Sequence, residues 1–209
     1  MRWRCQVCAC VAPTGQSVCG RCLTQRPWPD IAHCVAAVDY AYPWDALVAR
    51  LKFHAEPAWA HTMAELLLDR PEARTLLAEA DCIAPVPLTR SRLAERGYNQ
   101  AWEIAKALRA GGQQRGLSVP APLAQALLRR GDGADQHTLD RQRRWQNLQH
   151  AFQPHPTHGH RLVGRRVLLV DDVCTTGATL QMAARALRGA GAIAVDALVF
   201  ARTDESTGN

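Results

Sequence analysis

The feature that most constrains the fold is the segment 167–179, VLLVDDVCTTGAT. Its first four residues are apolar, which is typical of a short strand buried in a sheet. Two adjacent carboxylates, Asp171 and Asp172, follow the strand, and a loop of threonine and glycine leads from them into a helical pattern at 179–187. Because a second strand pattern follows at 193–200, these elements predict a right-handed βαβ unit and an α/β domain with a parallel sheet.

This strand and loop carry the groups that a phosphorylated sugar needs. Open α/β sheets bind ligands at the carboxyl ends of their strands, where Asp171 and Asp172 are expected. Their carboxylates can accept hydrogen bonds from a vicinal diol and help to hold a hydrated Mg²⁺. Backbone N–H groups and threonine hydroxyls at a helix N-terminus favour a phosphate dianion, which Gly177 allows the backbone to approach closely. The alternative is an ordinary helix capped by Thr176 or Thr179, in which the paired acids have no role.

Other nucleotide-binding motifs are absent from the sequence. A P-loop requires GxxxxGK[ST] and a dinucleotide-binding loop requires GxGxxG, and neither pattern occurs. The phosphate site predicted from residues 167–179 is therefore of a different kind.

Weaker patterns predict the remaining elements of the domain. Apolar residues at helical spacing predict helices at 44–53, 58–68 and 98–108, and short apolar runs predict strands at 34–38 and 81–87. From residue 111 to residue 122 the sequence is rich in glycine, glutamine and proline, and it stays polar and arginine-rich up to residue 160. This stretch is predicted to form one or two long loops.

Length and composition agree with one α/β domain and a small additional module. The chain has 209 residues, of which 47% are hydrophobic and 21% charged, values typical of a folded soluble protein. It contains no run of about eighteen apolar residues and no signal-peptide core, which predicts a cytoplasmic protein without membrane insertion. The net charge of +6 favours approach to polyanions, although solvated arginine-rich faces account for it equally well.

The N-terminal region contains two Cys-x2-Cys pairs separated by ten residues. Each pair forms a tight turn that points two thiolates at one tetrahedral ion, so a structural Zn²⁺ is predicted on Cys5, Cys8, Cys19 and Cys22. Disulfides or unused thiols are the alternatives, and a reducing compartment disfavours disulfides. A spare cysteine, Cys10, could replace Cys8. This cysteine module is predicted to span residues 1–30, and the main domain residues 31–209.

Several segments together resemble a known family. Residues 167–179 are similar to the phosphoribosyl pyrophosphate (PRPP) signature of the type I phosphoribosyltransferases. Three further segments, LKF at 51–53, PVPL to RGYNQ at 85–100, and QHTLDR to AF at 136–152, stand in the order found in the competence protein F (ComF) family, including its GntX type. The resemblance covers nearly the whole chain. It implies a type I phosphoribosyltransferase-like parallel sheet with flanking helices, preceded by a small zinc-binding module.

The resemblance also implies roles for individual residues around PRPP and Mg²⁺. Asp171 and Asp172 would bind the ribose hydroxyls and Mg²⁺. The loop around the 5′-phosphate would consist of Cys174, Thr175, Thr176, Gly177, Ala178 and Thr179. Within it, Cys174 occupies a variable position of the signature and is interpreted as a bystander, although an exposed thiol beside a phosphate site could be reactive. The pyrophosphate loop would consist of Pro87, Leu88, Thr89, Arg90 and Arg92.

A second basic segment, 136–152, resembles the flexible loop that closes over PRPP. Its ligand-facing residues would be Arg141, Arg144 and Asn147. Arginine suits this role because its planar guanidinium pairs with phosphate oxygens through two charge-assisted hydrogen bonds. A solvated basic loop is the alternative.

Two functions from different classes are compatible with these features. In the favoured one, a PRPP-binding protein serves DNA uptake in natural transformation, with single-stranded DNA and proteins of the competence machinery as partners. Candidate surfaces for stacking bases are Trp3, Trp28, Trp44 and Trp145, although packing is the favoured role of each. In the other, an active phosphoribosyltransferase transfers ribose 5-phosphate from PRPP to a nitrogen acceptor by charge stabilisation, without an evident general base. Residues 201–209 contain no visible base-recognition element, which favours the first.

Overall fold

The structure is a computed structural model that describes residues 3–25, 28–130 and 151–203. Its strands are, in chain order, β1 (Cys34–Asp39), β2 (Cys82–Pro85), β3 (Leu127–Arg129), β4 (Phe152–Pro154), β5 (Arg166–Cys174) and β6 (Ala194–Arg202). Its helices are α1 (Gly20–Gln25), α2 (Trp44–Phe53), α3 (Trp59–Leu68), α4 (Pro71–Glu79), α5 (Arg90–Arg96), α6 (Gln100–Gln114) and α7 (Ala178–Gly189), with a 3₁₀ helix at Gly159–Leu162.

A four-stranded parallel sheet lies at the centre, in the order β1-β6-β5-β2. Strand β5 lies between β6 and β2, which explains why its sequence is apolar on both faces. It pairs with β6 from Arg166 opposite Ala194 to Cys174 opposite Arg202. The predicted parallel sheet with its β5-α7-β6 unit is confirmed, but β5 continues beyond Asp171, where the apolar pattern ends.

The two faces of the sheet are covered by different parts of the chain. Alternate residues of a strand point to opposite faces, so Leu168 and Val170 face α3 and α6, whereas Val167 and Leu169 face α7 and the cysteine module of residues 1–30. These four side chains are at most 1% exposed, and full burial of each stabilises the fold by about 1.5–3 kcal/mol. The cysteine module therefore shares one apolar core with the sheet.

Helix α6 is longer than predicted because two glycines that resemble a helix stop lie inside it. A Cβ on Gly111 would lie 2.7 Å from the Oε1 of Glu65 and 2.9 Å from the Cδ1 of Leu68, both on α3. Glycine here allows two helices to pack closely. The prediction that a long loop begins at Gly111 was therefore wrong.

The polar stretch after α6 also contains structure that its composition did not indicate. Strands β3 and β4 pair antiparallel, from Leu127 opposite Pro154 to Arg129 opposite Phe152. Helix α4 was likewise not predicted; it begins with Pro71 at its first turn and buries Ala73, Leu76 and Leu77. In the described ranges no helix is both long and apolar enough to cross a membrane.

Candidate functional site

The carboxyl ends of β2 and β5 bring two of the predicted loops together. Pro85 pairs with Val170, and the backbone N–H of Val86 donates to the carbonyl of Val170 at 2.9 Å. The chain after β2 therefore begins its loop, residues 87–92, beside Asp171. Residues that are more than eighty positions apart in the sequence form one edge of the sheet.

The two acids at this edge are packed tightly. Asp172 is 6% exposed and Asp171 is half-buried. The backbone N–H of Asp172 donates to Oδ1 of Asp171 at 2.9 Å, and that of Val173 donates to Oδ1 of Asp172 at 2.7 Å. Burial raises the pKa of Asp171 well above the usual value for an aspartate, and the charge of Asp172 raises it further. A ligand that brings hydroxyl donors or positive charge is favoured here.

A lysine that sequence reasoning did not assign to the site lies against the acids. The Nζ of Lys52, in the last turn of α2, is 3.1 Å from Oδ2 of Asp172. The hydroxyl of Tyr98 donates to the carbonyl of Leu51 and anchors the end of this helix. The available signal was the cation in the LKF segment at 51–53, one of the segments that carry the family resemblance.

The loop after β5 contains two exposed threonines and leads into the N-terminus of α7. Thr175 and Thr176 are exposed, and the Oγ1 of Thr176 accepts a hydrogen bond from the N–H of Ala178 at 3.3 Å. Gly177 caps the twelve-residue helix α7 and has a φ of 83°. Thr179 is half-buried in the first turn. This arrangement suits an anion, because the N-terminus of a helix carries partial positive charge.

The thiol of Cys174 lies inside the protein. Its residue is 2% exposed, and burial raises the pKa of this thiol to about 12. The thiolate is the reactive form of cysteine, so this side chain is chemically inert at neutral pH. Its burial agrees with the interpretation of Cys174 as a bystander and excludes the alternative of an exposed thiol beside the phosphate loop.

The loop after β2 is held by hydrogen bonds of the cap residues of α5 and α6. Pro87 is buried, Leu88 is half-buried, and Thr89, which is 1% exposed, caps α5 by accepting from the N–H of Arg92 at 3.4 Å. Asn99, the cap of α6, donates to the carbonyl of Val86 at 3.0 Å. The side chains of Arg90 and Arg92 are exposed.

The predicted flexible loop falls mostly outside the described residues, including Arg141, Arg144 and Asn147. Its flanks are described: Arg130 donates its N–H to the carbonyl of Ala151 at 2.9 Å, so the two ends of the loop lie side by side. The guanidinium of Arg129 lies 5.4 Å from the ring of Phe152, and its charge lowers the pKa of Asp171. The loop therefore starts from strands near the acids.

The two Cys-x2-Cys pairs converge on one point. The Sγ atoms of four cysteines lie within 4.8 Å of one another, namely Cys5, Cys8, Cys19 and Cys22. The Sγ atoms of Cys8 and Cys19 are 3.7 Å apart, and tetrahedral Zn–S bonds of about 2.3 Å place thiolates roughly 3.8 Å apart. The donor set and spacing fit a zinc ion, and these cysteines form no disulfides. Cys10, half-buried nearby, is outside the cluster.

Packing explains two of the four candidate tryptophans. Trp28 is 4% exposed, and Trp44 contacts Phe200 edge-on with ring centroids 6.0 Å apart. Trp3 is 54% exposed, and Trp145 lies outside the described residues.

Comparisons with known proteins agree with this fold. The phosphoribosyl transferase domain family matches residues 96–209, which include β5, the loop after it, α7 and β6. The chain is 35% identical over 202 residues to DNA utilization protein YhgH of Escherichia coli K12, which covers 95% of this chain and 84% of the relative. It is 34% identical to the YhgH of Salmonella typhi, over 97% of this chain and 87% of the relative.

A third relative, Competence protein F of Haemophilus influenzae, is 36% identical over 177 residues, or 83% of this chain and 73% of the relative. The chain belongs to the ComF family.

Proposed function

We propose that this protein binds PRPP at the carboxyl edge of its sheet and uses that site in DNA uptake or DNA utilisation. The observation that carries the proposal is the convergence of the acid pair, the threonine loop and the 87–92 loop at the ends of two adjacent strands. A sugar with phosphates at both ends requires an acceptor pair between two anion sites. Here the acid pair lies near the end of β5, the threonine loop follows that strand, and the 87–92 loop follows the neighbouring strand β2.

Each group has a distinct role in the proposed complex. Asp171 and Asp172 accept hydrogen bonds from the ribose hydroxyls, and residues 174–179 bind the 5′-phosphate through N–H groups and hydroxyls. Residues 87–92 bind the pyrophosphate, with Arg90 and Arg92 as its cations. Arg141, Arg144 and Asn147 complete the enclosure from the flexible loop.

Two metal ions belong to the proposal. The cysteine cluster holds a structural Zn²⁺, because four thiolates leave no coordination position for a substrate. Mg²⁺ enters with PRPP, for which the carboxylates of Asp171 and Asp172 are suitable oxygen ligands. When bound, Mg²⁺ neutralises the negative charge of the pyrophosphate.

The link to DNA is supported by the relatives and by charge. The relatives are named for DNA utilisation and for competence, and this chain carries a net charge of +6. We infer that single-stranded DNA is a partner, held through its phosphates by basic loops, with competence proteins as further partners.

An active phosphoribosyltransferase is the second candidate function, supported by the match of that domain to residues 96–209. In that case a nitrogen nucleophile attacks C1 of the ribose as pyrophosphate leaves. Release of pyrophosphate from PRPP across a panel of bases and amines would establish this activity. Binding of PRPP without any release supports the first function.

The test of the binding site is calorimetry with PRPP and Mg²⁺. The double variant Asp171→Asn, Asp172→Asn is expected to lose measurable PRPP binding while its zinc content stays at one equivalent per chain. The matched control is Asp81→Asn, at the amino edge of the same sheet, where Oδ2 accepts from the N–H of Arg166 at 2.9 Å. PRPP affinity should survive this change. Wild-type protein that shows no saturable heat would overturn the proposal.

A further inference from the structure

A buried arginine joins the cysteine module to the loop after β5. Arg202, the last residue of β6, is 1% exposed. Its Nε donates to the carbonyl of Cys8 at 2.9 Å, and its Nη1 donates to the carbonyl of Cys174 at 3.2 Å and to that of Thr175. One guanidinium thus contacts a residue of the thiolate cluster and two residues at the start of the proposed 5′-phosphate loop.

A tryptophan of the module makes the second connection. The ring of Trp28 lies 5.8 Å from the guanidinium carbon of Arg202. The indole also packs against Gly177, where a Cβ would lie only 2.0 Å from Cζ2 of the indole. The indole therefore lies directly against the turn at the start of α7.

These contacts bind the module and the loop into one unit. A guanidinium is buried only where hydrogen bonds offset its desolvation, and the backbone carbonyls of residues 174 and 175 need partners as well. The carbonyl that Arg202 contacts belongs to Cys8, whose thiol is one of the four in the cysteine cluster. Two side chains therefore connect the cysteine cluster with the backbone of the loop.

We propose that Arg202 and Trp28 are positioning residues, through which metal binding by the cysteine module sets the conformation of the 5′-phosphate loop. This inference rests on the proposed function, because it concerns that same phosphate site. The pyrophosphate loop follows β2 and has no part in the connection. The effect is therefore specific for the 5′-phosphate end of the ligand.

The first test compares two partial ligands, ribose 5-phosphate and magnesium pyrophosphate, by calorimetry. Arg202→Met should bind ribose 5-phosphate and PRPP roughly ten-fold more weakly, since it loses charge-assisted hydrogen bonds that hold the loop. Its affinity for pyrophosphate should equal that of the wild type. Arg202→Lys should not restore binding, because an ammonium lacks the guanidinium fork.

The matched control is Arg188→Met, at the other end of α7, where Nη1 donates to the carbonyl of Ala192 at 2.7 Å. This variant also loses an arginine that bonds a backbone carbonyl, and its ligand affinities should not change. Equal losses for ribose 5-phosphate and pyrophosphate in Arg202→Met would show a merely structural role. Unchanged affinity for both ligands would also overturn the inference.

The second test uses wild-type protein, so it does not depend on a variant that folds. By linkage, a ligand that favours the metal-bound conformation must strengthen metal retention by the same factor. Saturating ribose 5-phosphate should raise the chelator concentration that removes half of the zinc by roughly five-fold or more. Ribose, which lacks the phosphate, should have no effect.

The outcomes separate this inference from the proposed function. Wild-type protein that binds neither PRPP nor ribose 5-phosphate contradicts the proposed function itself. Wild-type protein that binds both, with zinc retention unaffected by ribose 5-phosphate, contradicts only the coupling.

Discussion

At the scale of single residues, Gly177 satisfies two requirements at once. Its φ of 83° lies in the left-handed region, and the indole of Trp28 occupies the space that a side chain would need. Sequence motifs record only that glycine is present. Glycine is therefore needed here both for its backbone conformation and because a side chain would overlap the indole of Trp28.

Gly177→Ala is therefore expected to lower the free energy of unfolding by about 2–5 kcal/mol, combining backbone strain with overpacking against Trp28. The control is Gly116→Ala, at φ 75° with open space around the added Cβ; it should lower stability by about 1–2 kcal/mol, from strain alone. Chemical denaturation measures both. Equal losses in the two variants would disprove the contact with Trp28.

A second residue-scale prediction concerns the raised pKa of Asp171. An acid whose pKa is higher in the folded state ionises more easily when unfolded, so it destabilises the fold once the pH exceeds its unfolded pKa. Asp171→Asn should therefore increase the free energy of unfolding, by about 1 kcal/mol or more, and the gain should be larger at pH 8 than at pH 6. Denaturation at the two pH values tests this. A gain that is the same at both pH values would contradict the shift.

At the scale of elements, the cysteine module is a part of the core rather than an appendage. Its residues pack in the same apolar cluster as α7 and one face of the sheet. The short helix α1 begins one residue after Cys19 and carries Cys22 on its buried side. A segment this small cannot bury enough apolar surface to fold by itself, so ligation of a metal is expected to hold it together.

The module is predicted to contain one zinc per chain, which elemental analysis of protein purified without chelator measures. Cys8→Ser should lose most of this zinc and lower the thermal midpoint. The matched control is Cys10→Ser, which alters a half-buried thiol outside the cluster and should keep the full equivalent. Full zinc in Cys8→Ser together with loss in the double variant Cys8→Ser, Cys10→Ser would show that Cys10 can replace Cys8.

At the scale of the whole molecule, the net charge of +6 attracts approaching polyanions. Affinity for an oligothymidylate is predicted to fall steeply with salt, since the logarithm of the affinity changes by about 0.7 per phosphate contact for each ten-fold change in salt. Fluorescence anisotropy between 50 and 200 mM salt measures this dependence. An affinity that does not change over this range would contradict DNA binding through phosphate contacts.

Sequence patterns predicted an element correctly where adjacent or regularly spaced residues encode it. Helix α2 has the predicted limits, because its apolar residues recur at helical spacing. The buried strand β5, the acid pair and the two Cys-x2-Cys turns were also evident, since each is encoded by adjacent or regularly spaced residues. The fold class and the cysteine cluster followed from these segments.

Only the tertiary structure decided which distant residues meet. Gly111 lies within a helix because α3 packs closely against it, Cys174 is buried in the core that the module shares with the sheet, and Lys52 contacts Asp172. Arg202 has no motif that marks it, yet it joins Cys8 to the loop after β5. Local sequence encodes local conformation, whereas these contacts depend on the parallel order of strands far apart in the chain.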